Sequence, residues 1–424
     1  MRIVDATQAI AATIEDGQQL FVHGGAATPS LLLEALAARA PSLRDVGVVH
    51  LHCEGPAPHL RTELAGHLRH HALFIGKNAR QAVNEGRADY IPVFLSDVPQ
   101  LFRRRQLRVD VAFINVSPPD AHGLCTLGTS VDVAMAAVRA ADVVVAQINQ
   151  SMPRVLGDGI LHVDDIDFGV ACDLPPYAVA PHVAGDVEQR IGQRIAELIP
   201  DGATLQMGIG GLPGAICAAL VDKRGLGVHT EMFSDGVVDL VERGVITGEG
   251  KELDRGKIVS AFAVGSPRLY RFLDDNPLVE LRSSDYTNDP GVIRRFRKMV
   301  AINSAIEIDL TGQVCADSIG ARLYSGVGGQ VDFIRGAALA EEGRAIIALP
   351  ATACAGATSR IVAELQPGAG VVTSRAHVQT VVTEHGVAEL HGRGIADRAR
   401  ALIAVAAPQF RDQLTAAARR LRYL

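Results

Sequence analysis

The stretch Asp16-Gly-Gln-Gln-Leu-Phe-Val-His-Gly-Gly25, continued by Pro29 and Ala35-Leu36, decides the fold, because the chain carries its pattern twice. The second copy runs Asp201-Gly202, Leu205, Gly210-Gly211, Pro213 and Ala219-Leu220, with one residue deleted between the glycine and the proline. Each copy reads as a turn, a short apolar strand, a glycine-rich loop and a helix with proline in its first turn. A strand feeding a helix through such a loop is the building unit of an open, helix-covered α/β sheet. Two copies predict two related open α/β domains, divided near 181–188 as 1–185 and 186–424.

Outward from the repeat, short Val/Ile-rich runs alternate with longer Ala/Leu-rich stretches. Gln19–His23, Val46–His52, Asp110–Asn115 and Val143–Asn149 read as buried parallel strands. Pro29–Ala40, Val131–Ala140 and Val187–Ile199 read as the intervening helices. In the second half the strand expectations are Thr204–Gly208, Lys257–Val264, Arg344–Leu349 and Gly370–Thr373.

At 424 residues the chain exceeds what one core usually serves, which agrees with two domains. It is 48% hydrophobic and 21% charged, with enough apolar material for large cores. The net charge of −6 is spread along the chain, and no basic face with interleaved aromatics argues for nucleic acid. The six cysteines are scattered without CxxC spacing and read as reduced thiols of a cytoplasmic protein. No apolar run reaches the roughly 18 residues that span a bilayer, so no membrane association is expected.

Two glycine-rich loops follow strand candidates. In Gln206-Met-Gly-Ile-Gly-Gly-Leu-Pro-Gly214, backbone N–H groups and a helix N-terminus would attract an anionic or electron-rich group. After Gly208 and Gly210 the third glycine of a dinucleotide fingerprint is replaced by Pro213, and no Walker lysine follows. Ser325-Gly-Val-Gly-Gly-Gln330 misses the same spacing at Val331. Either loop could equally be a tight turn without a ligand.

The rival chemistries lack their residues. There is no GxSxG elbow, no HExxH and no zinc-like Cys/His spacing. His50/His52 and His67/His70/His71 cluster in sequence without a matching carboxylate pattern, so no metal is expected. Cys125 reads as a packed cysteine more readily than as a nucleophile. Glu231, in Val228-His-Thr-Glu-Met-Phe-Ser-Asp-Gly236, stands at the end of a short strand, where open α/β folds bind ligands. Alone it reads more readily as a surface or capping acid, although carboxylates do act as covalent nucleophiles.

Taken in order, these motifs resemble the acetyl-CoA hydrolase/transferase family, and within it the 4-hydroxybutyrate (butyrate-type) CoA-transferases. The resemblance rests on Asn84–Pro92, Val116-Ser-Pro-Pro-Asp-Ala-His-Gly123, Met152-Pro-Arg-Val-Leu-Gly157, Gln206–Pro213 and His229–Gly236. It continues through Asp285-Tyr-Thr-Asn-Asp-Pro290, Ile302-Asn-Ser-Ala-Ile-Glu307, Asp309–Val314, Ser325–Phe333 and Thr383–Ala388.

The resemblance implies two domains of the CoA-transferase (NagB/RpiA-like) type and transfer of CoA from an acyl-CoA to a short-chain carboxylate. Glu231 would be the nucleophile and form a covalent glutamyl-CoA thioester by ping-pong chemistry. Asn288 would be an amide donor, unless it serves an Asx turn before Pro290. Gln206, Gly208, Gly210, Gly211, Asn303, Gly326, Gly328, Gly329 and Gln330 would line the CoA site. The expected partners are acyl-CoA and small carboxylic acids, with no prosthetic group and a homodimeric assembly. Net acyl-CoA hydrolysis, dicarboxylate transfer and a non-catalytic CoA-binding role remain alternatives. Relatives are expected to carry lysine near the position of Cys354 or Ala357, which puts one phosphate contact in doubt.

Overall fold

The computed structural model describes residues 1–180 and 182–424. The chain divides into two compact units. Unit 1 holds 1–180 with 259–287 and 324–326; unit 2 holds 181–258, 288–323 and 327–424.

Unit 1 is built on β1 (Arg2–Ile3), β2 (Gln19–Val22), β3 (Val46–His50), β4 (Leu68–Ala72), β5 (Ala88–Tyr90), β6 (Val111–Val116), β7 (Val143–Asn149) and β8 (Phe168–Cys172). Their order is β1-β8-β7-β6-β2-β3-β4-β5, and every pairing is parallel. Burial on both faces explains why β6 and β7 are continuous apolar runs rather than alternating ones. Leu20, Val22, Val111, Phe113 and Val145 pack with Leu32 and Leu36 of the helix Ser30–Arg39 into one core.

Unit 2 repeats the scheme with β9 (Thr204–Met207), β10 (Gly227–Phe233), β11 (Met299–Ser304), β12 (Arg344–Ala348), β13 (Thr380–Thr383) and β14 (Gly386–Glu389). They run in the order β10-β9-β11-β12-β13-β14, parallel except for the terminal β13-β14 hairpin. Met299, Ala301, Ile347 and Val381 from these strands pack with Phe333 and Ile334 of the helix Gln330–Leu339.

The two sequence copies are structurally equivalent down to their turns. Gly17 and Gly202 adopt φ of 73° and 72°, the left-handed region open to glycine at little cost. Asp16 Oδ1 accepts from the Arg44 amide at 2.8 Å, and Asp201 Oδ1 accepts from the Arg224 amide at 2.9 Å. The Arg44 and Arg224 carbonyls accept in turn from the amides of Gly17 and Gly202, at 3.0 and 2.9 Å. Both turns lead directly into a parallel strand of their sheet, β2 or β9.

Two expectations need correction. Gly370–Thr373 is not a sheet strand: Val371 is exposed, and only Thr373 forms an isolated bridge, to Val314. The strand lies further on at Thr380–Thr383, where all four residues are buried. The β10 strand also runs on past Glu231 to Phe233, because the fully buried Phe233 extends the apolar pattern. Among the described residues, no helix is long and apolar enough to cross a membrane.

Candidate active site

In unit 2 the chain leaves β9 toward β10 on one side, while β11 lies on the other side of β9. That reversal makes a switch point, and open α/β sheets bind ligands in the crevice outside the carboxyl ends of their strands there. Gln206 is next to the last residue of β9, Asn303 next to the last of β11, and Glu231 two residues before the end of β10. The fold thus places three polar side chains of the sequence expectation at the carboxyl ends of neighbouring strands.

The strand carrying Glu231 is braced through the three residues that precede it. Thr230 is buried, and its hydroxyl donates to the Met207 carbonyl at 3.0 Å. His229 is fully buried, its ring 4.6 Å from that of Phe296. The Lys251 ammonium, itself buried, donates to the Val228 carbonyl at 3.0 Å. Strand alternation turns Glu231 to the face opposite Thr230, the face it shares with His229, and it is only partly buried.

Asn288 Nδ2 donates to Glu231 Oε2 at 3.0 Å. The Asx-turn alternative is taken by the next residue: Asp289 Oδ1 caps the helix Pro290–Ile293 by accepting from the Gly291 amide at 2.7 Å. With that turn satisfied by Asp289, the fully buried Asn288 side chain is available to the carboxylate. A hydrogen bond to a charged acceptor contributes about 1.5–3 kcal/mol and fixes the orientation of the carboxyl group. Asn288→Ala should therefore lower kcat by about 10²-fold, the usual loss for one positioned donor, with Tm lowered by no more than a few degrees. Steady-state kinetics alongside thermal melting would check this.

Gly329 touches the same pair. A Cβ added there would lie 2.0 Å from Glu231 Oε2 and 2.1 Å from Asn288 Nδ2. No side chain fits, so the glycine is required by close approach rather than by its backbone angle. Gly328 beside it has φ of 56° and is a turn position. Gln330 opens the helix behind them and is satisfied at both ends of its amide. Its Nε2 donates to the Ser304 carbonyl at 2.6 Å, and its Oε1 accepts from Thr373 Oγ1 at 2.8 Å. Gln330 thus ties the glycine loop to β11.

Gln206 and Asn303 pair with each other, Asn303 Nδ2 donating to Gln206 Oε1 at 3.0 Å. In the loop after β9, Gly208 and Gly210 have nothing within 4 Å of an added Cβ, and Gly210 has φ of 108°. Gly211 is different: an added Cβ would meet the Glu188 side chain, with Oε1 at 2.3 Å. Gly326 belongs to unit 1, where it approaches Phe74, with 2.9 Å from an added Cβ to the ring.

Cys125 is fully buried, and burial pushes its thiol up to about 11, far from the thiolate a nucleophile needs. Cys354 is exposed, and Arg360 Nη1 donates to the Ala305 carbonyl at 3.3 Å. Unit 1 has a cleft of its own, about 960 Å³, bordered by Asn115, Gln147, Asn149, Arg154, Tyr177 and Tyr270. None of the expected site residues lines it. One marker of the resemblance is explained nearby: Arg154 Nη2 bonds Asp120 Oδ2 at 2.9 Å, joining the Val116–Gly123 and Met152–Gly157 motifs.

Comparison with known proteins identifies the family. Residues 2–181 match the acetyl-CoA hydrolase/transferase N-terminal domain, and residues 265–418 match the corresponding C-terminal domain. The chain belongs to the acetyl-CoA hydrolase/transferase family. It is 50% identical to a succinyl-CoA:acetate/propanoyl-CoA:succinate CoA transferase of Fasciola hepatica, covering 96% of this chain and 85% of that one. It is 47% identical to a 4-hydroxybutyrate coenzyme A transferase of Clostridium kluyveri, over 97% and 96% of the two chains. The crystal structure of RipA from Yersinia pestis superimposes with a TM-score of 0.94 at 34% identity, covering 100% of this chain and 98% of that one.

Proposed function

We propose that this enzyme, a CoA-transferase, moves CoA from an acyl-CoA to a short-chain carboxylate by way of a thioester on Glu231. The observation that carries the reading is the Glu231 carboxylate at the carboxyl end of β10, with Asn288 Nδ2 at 3.0 Å and only a glycine tolerated beside both. One carboxylate oxygen is oriented by the amide, which directs the group toward attack on a bound thioester.

The chemistry balances without a prosthetic group. A Glu231 carboxylate oxygen attacks the acyl-CoA carbonyl carbon and the C–S bond breaks, giving an acyl–glutamyl anhydride and CoA thiolate. The thiolate attacks the glutamyl carbonyl and expels the donor acid as its carboxylate, leaving CoA bound to Glu231 as a thioester. The acceptor carboxylate then attacks that thioester, and the same steps in reverse deliver CoA to it. Each addition passes through an oxyanion, and Asn288 is the proposed donor to the one that forms on the glutamyl carbonyl. The open flank of Gly208 and Gly210 and the glycines at 326, 328 and 329 are the proposed contacts to the CoA moiety, with Gln206 and Asn303 as an amide pair beside it.

The acids proposed are of the 4-hydroxybutyrate, butyrate and acetate class. The Fasciola relative named for succinate supports a dicarboxylate as the next candidate. The catalytic glutamate is assigned to a C-terminal domain 186–424, and a homodimer is the assembly expected on symmetry grounds. Initial rates with donor and acceptor both varied should give parallel double-reciprocal lines, and CoA release from the donor should need an acceptor acid. Release at an unchanged rate without any acid would overturn transfer in favour of hydrolysis.

A further inference from the structure

Three histidines meet in unit 1, far in sequence from Glu231. His50 ends β3, His70 lies in β4, and His59 comes from the 3₁₀ turn Pro58–Leu60 in the connection between those strands. The register pairs Val48 with His70 and His50 with Ala72, so His50 and His70 are diagonal neighbours on one sheet face. Ring centroids are 4.1 Å apart for His50–His70, 5.4 Å for His59–His70 and 5.8 Å for His50–His59. The three side chains are 0, 3 and 2% exposed.

Both ring nitrogens of all three residues are buried without a hydrogen-bond partner. Buried polar atoms are nearly always paired, and a concentration of unpaired ones on three touching rings needs a physical reason. One nitrogen from each ring lies within 4.8 Å of the others. The adjacent histidines do not join: His52 Nε2 is 3.1 Å from Glu54 Oε1, and His71 Nδ1 is 3.9 Å from Asp89 Oδ2.

We propose that His50, His59 and His70 bind one transition-metal ion of the borderline class that imidazole nitrogens prefer, with Zn²⁺ as the probe. Three neutral imidazoles are a recognised zinc ligand set, completed by a solvent-derived fourth ligand. Burial holds His59 down to about 4, and burial reinforced by neighbouring histidines holds His50 and His70 well below the ordinary value. All three are therefore neutral at physiological pH, the form that ligates without first losing a proton. Zn–N bonds of about 2.0–2.1 Å need nitrogens about 3.4 Å apart, so the rings must close in slightly by rotation about their side-chain bonds. The ion would pin the connection 51–67, through His59, to the sheet that carries His50 and His70.

The test is metal analysis of the full chain grown with added Zn²⁺ and dialysed against a weak chelator. One Zn²⁺ per chain is expected, with nitrogen neighbours at about 2.0 Å by X-ray absorption. Refolding with Co²⁺ should give the visible bands of a four-coordinate ion. Stripping with a strong chelator should lower Tm by several degrees, since an ion bound only by the folded state stabilises it. His59→Asn, on the connection rather than the sheet, should bind Zn²⁺ at least about 100-fold more weakly, and its Tm should ignore the chelator. Correctly folded wild-type protein that carries no stoichiometric metal after growth in Zn²⁺, or shows no Co²⁺ bands on refolding, overturns the proposal. So does a melting temperature unmoved by the chelator, the result expected if only water sits among the rings.

Discussion

Glu231→Ala is expected to lower kcat for CoA transfer by at least about 10³-fold while leaving the fold intact, because in the proposed mechanism it deletes the group that bonds to CoA. The fold should survive, since Glu231 is only partly buried and its strand is held by its neighbours: Thr230 on Met207, His229 on Phe296, and Lys251 on Val228. Glu231→Asp keeps the charge but withdraws the carboxylate by one methylene, over about 1 Å, and should still lose about 10²-fold. A merely electrostatic role would tolerate aspartate far better. Kinetics with one acyl-CoA and one acid, together with thermal melting of each variant, would check both.

Gly329→Ala carries the second large effect, without replacing any reacting group. The new methyl carbon would lie 2.0 Å from Glu231 Oε2 and 2.1 Å from Asn288 Nδ2, so either the carboxylate or the loop must move. A displacement of about 1 Å at a reacting group costs on the order of 10² in rate. Gly328→Ala, next to it, should act differently: φ of 56° strains the alanine backbone and is paid for in stability. A kcat loss at 329 with Tm nearly unchanged, set against a Tm loss at 328, would separate site geometry from turn geometry.

The repeat was legible because both copies need the same backbone device. An aspartate accepts from an amide one strand and one helix further along the chain, and a glycine takes the left-handed conformation, at Asp16-Gly17 and again at Asp201-Gly202. Strands buried on both faces, such as Val143–Asn149, were legible as apolar runs. Leu68–Ala72 was not, because three of its five residues are Arg69, His70 and His71. Its inward histidine faces other histidines, and polar residues in a buried strand defeat a hydrophobicity pattern. Thr380–Thr383 was passed over for Gly370–Thr373, since two threonines flank only two valines.

At the site, Glu231 and Asn288 came from the family resemblance, and their 3.0 Å contact spans 57 residues of sequence that no local pattern bridges. Sequence left Asn288 open between an Asx turn and a donor; Asp289 capping the next helix explains how both needs are met. Gln330, which the resemblance implies for the CoA site, has its amide held at both ends by Ser304 and Thr373. His59 was missed in the histidine cluster because it sits on a loop, away from the strand spacing that drew attention to His50 and His70.

The central claim is the covalent role of Glu231, and intact-protein mass measured after incubation with an acyl-CoA tests it most directly. The account predicts a mass increase equal to CoA less water, chased away by an acceptor acid. It should map to the peptide containing Glu231 and convert to the reduced side chain with borohydride. An adduct of the same mass on the Glu231→Ala protein, or one mapping to another residue, would contradict it.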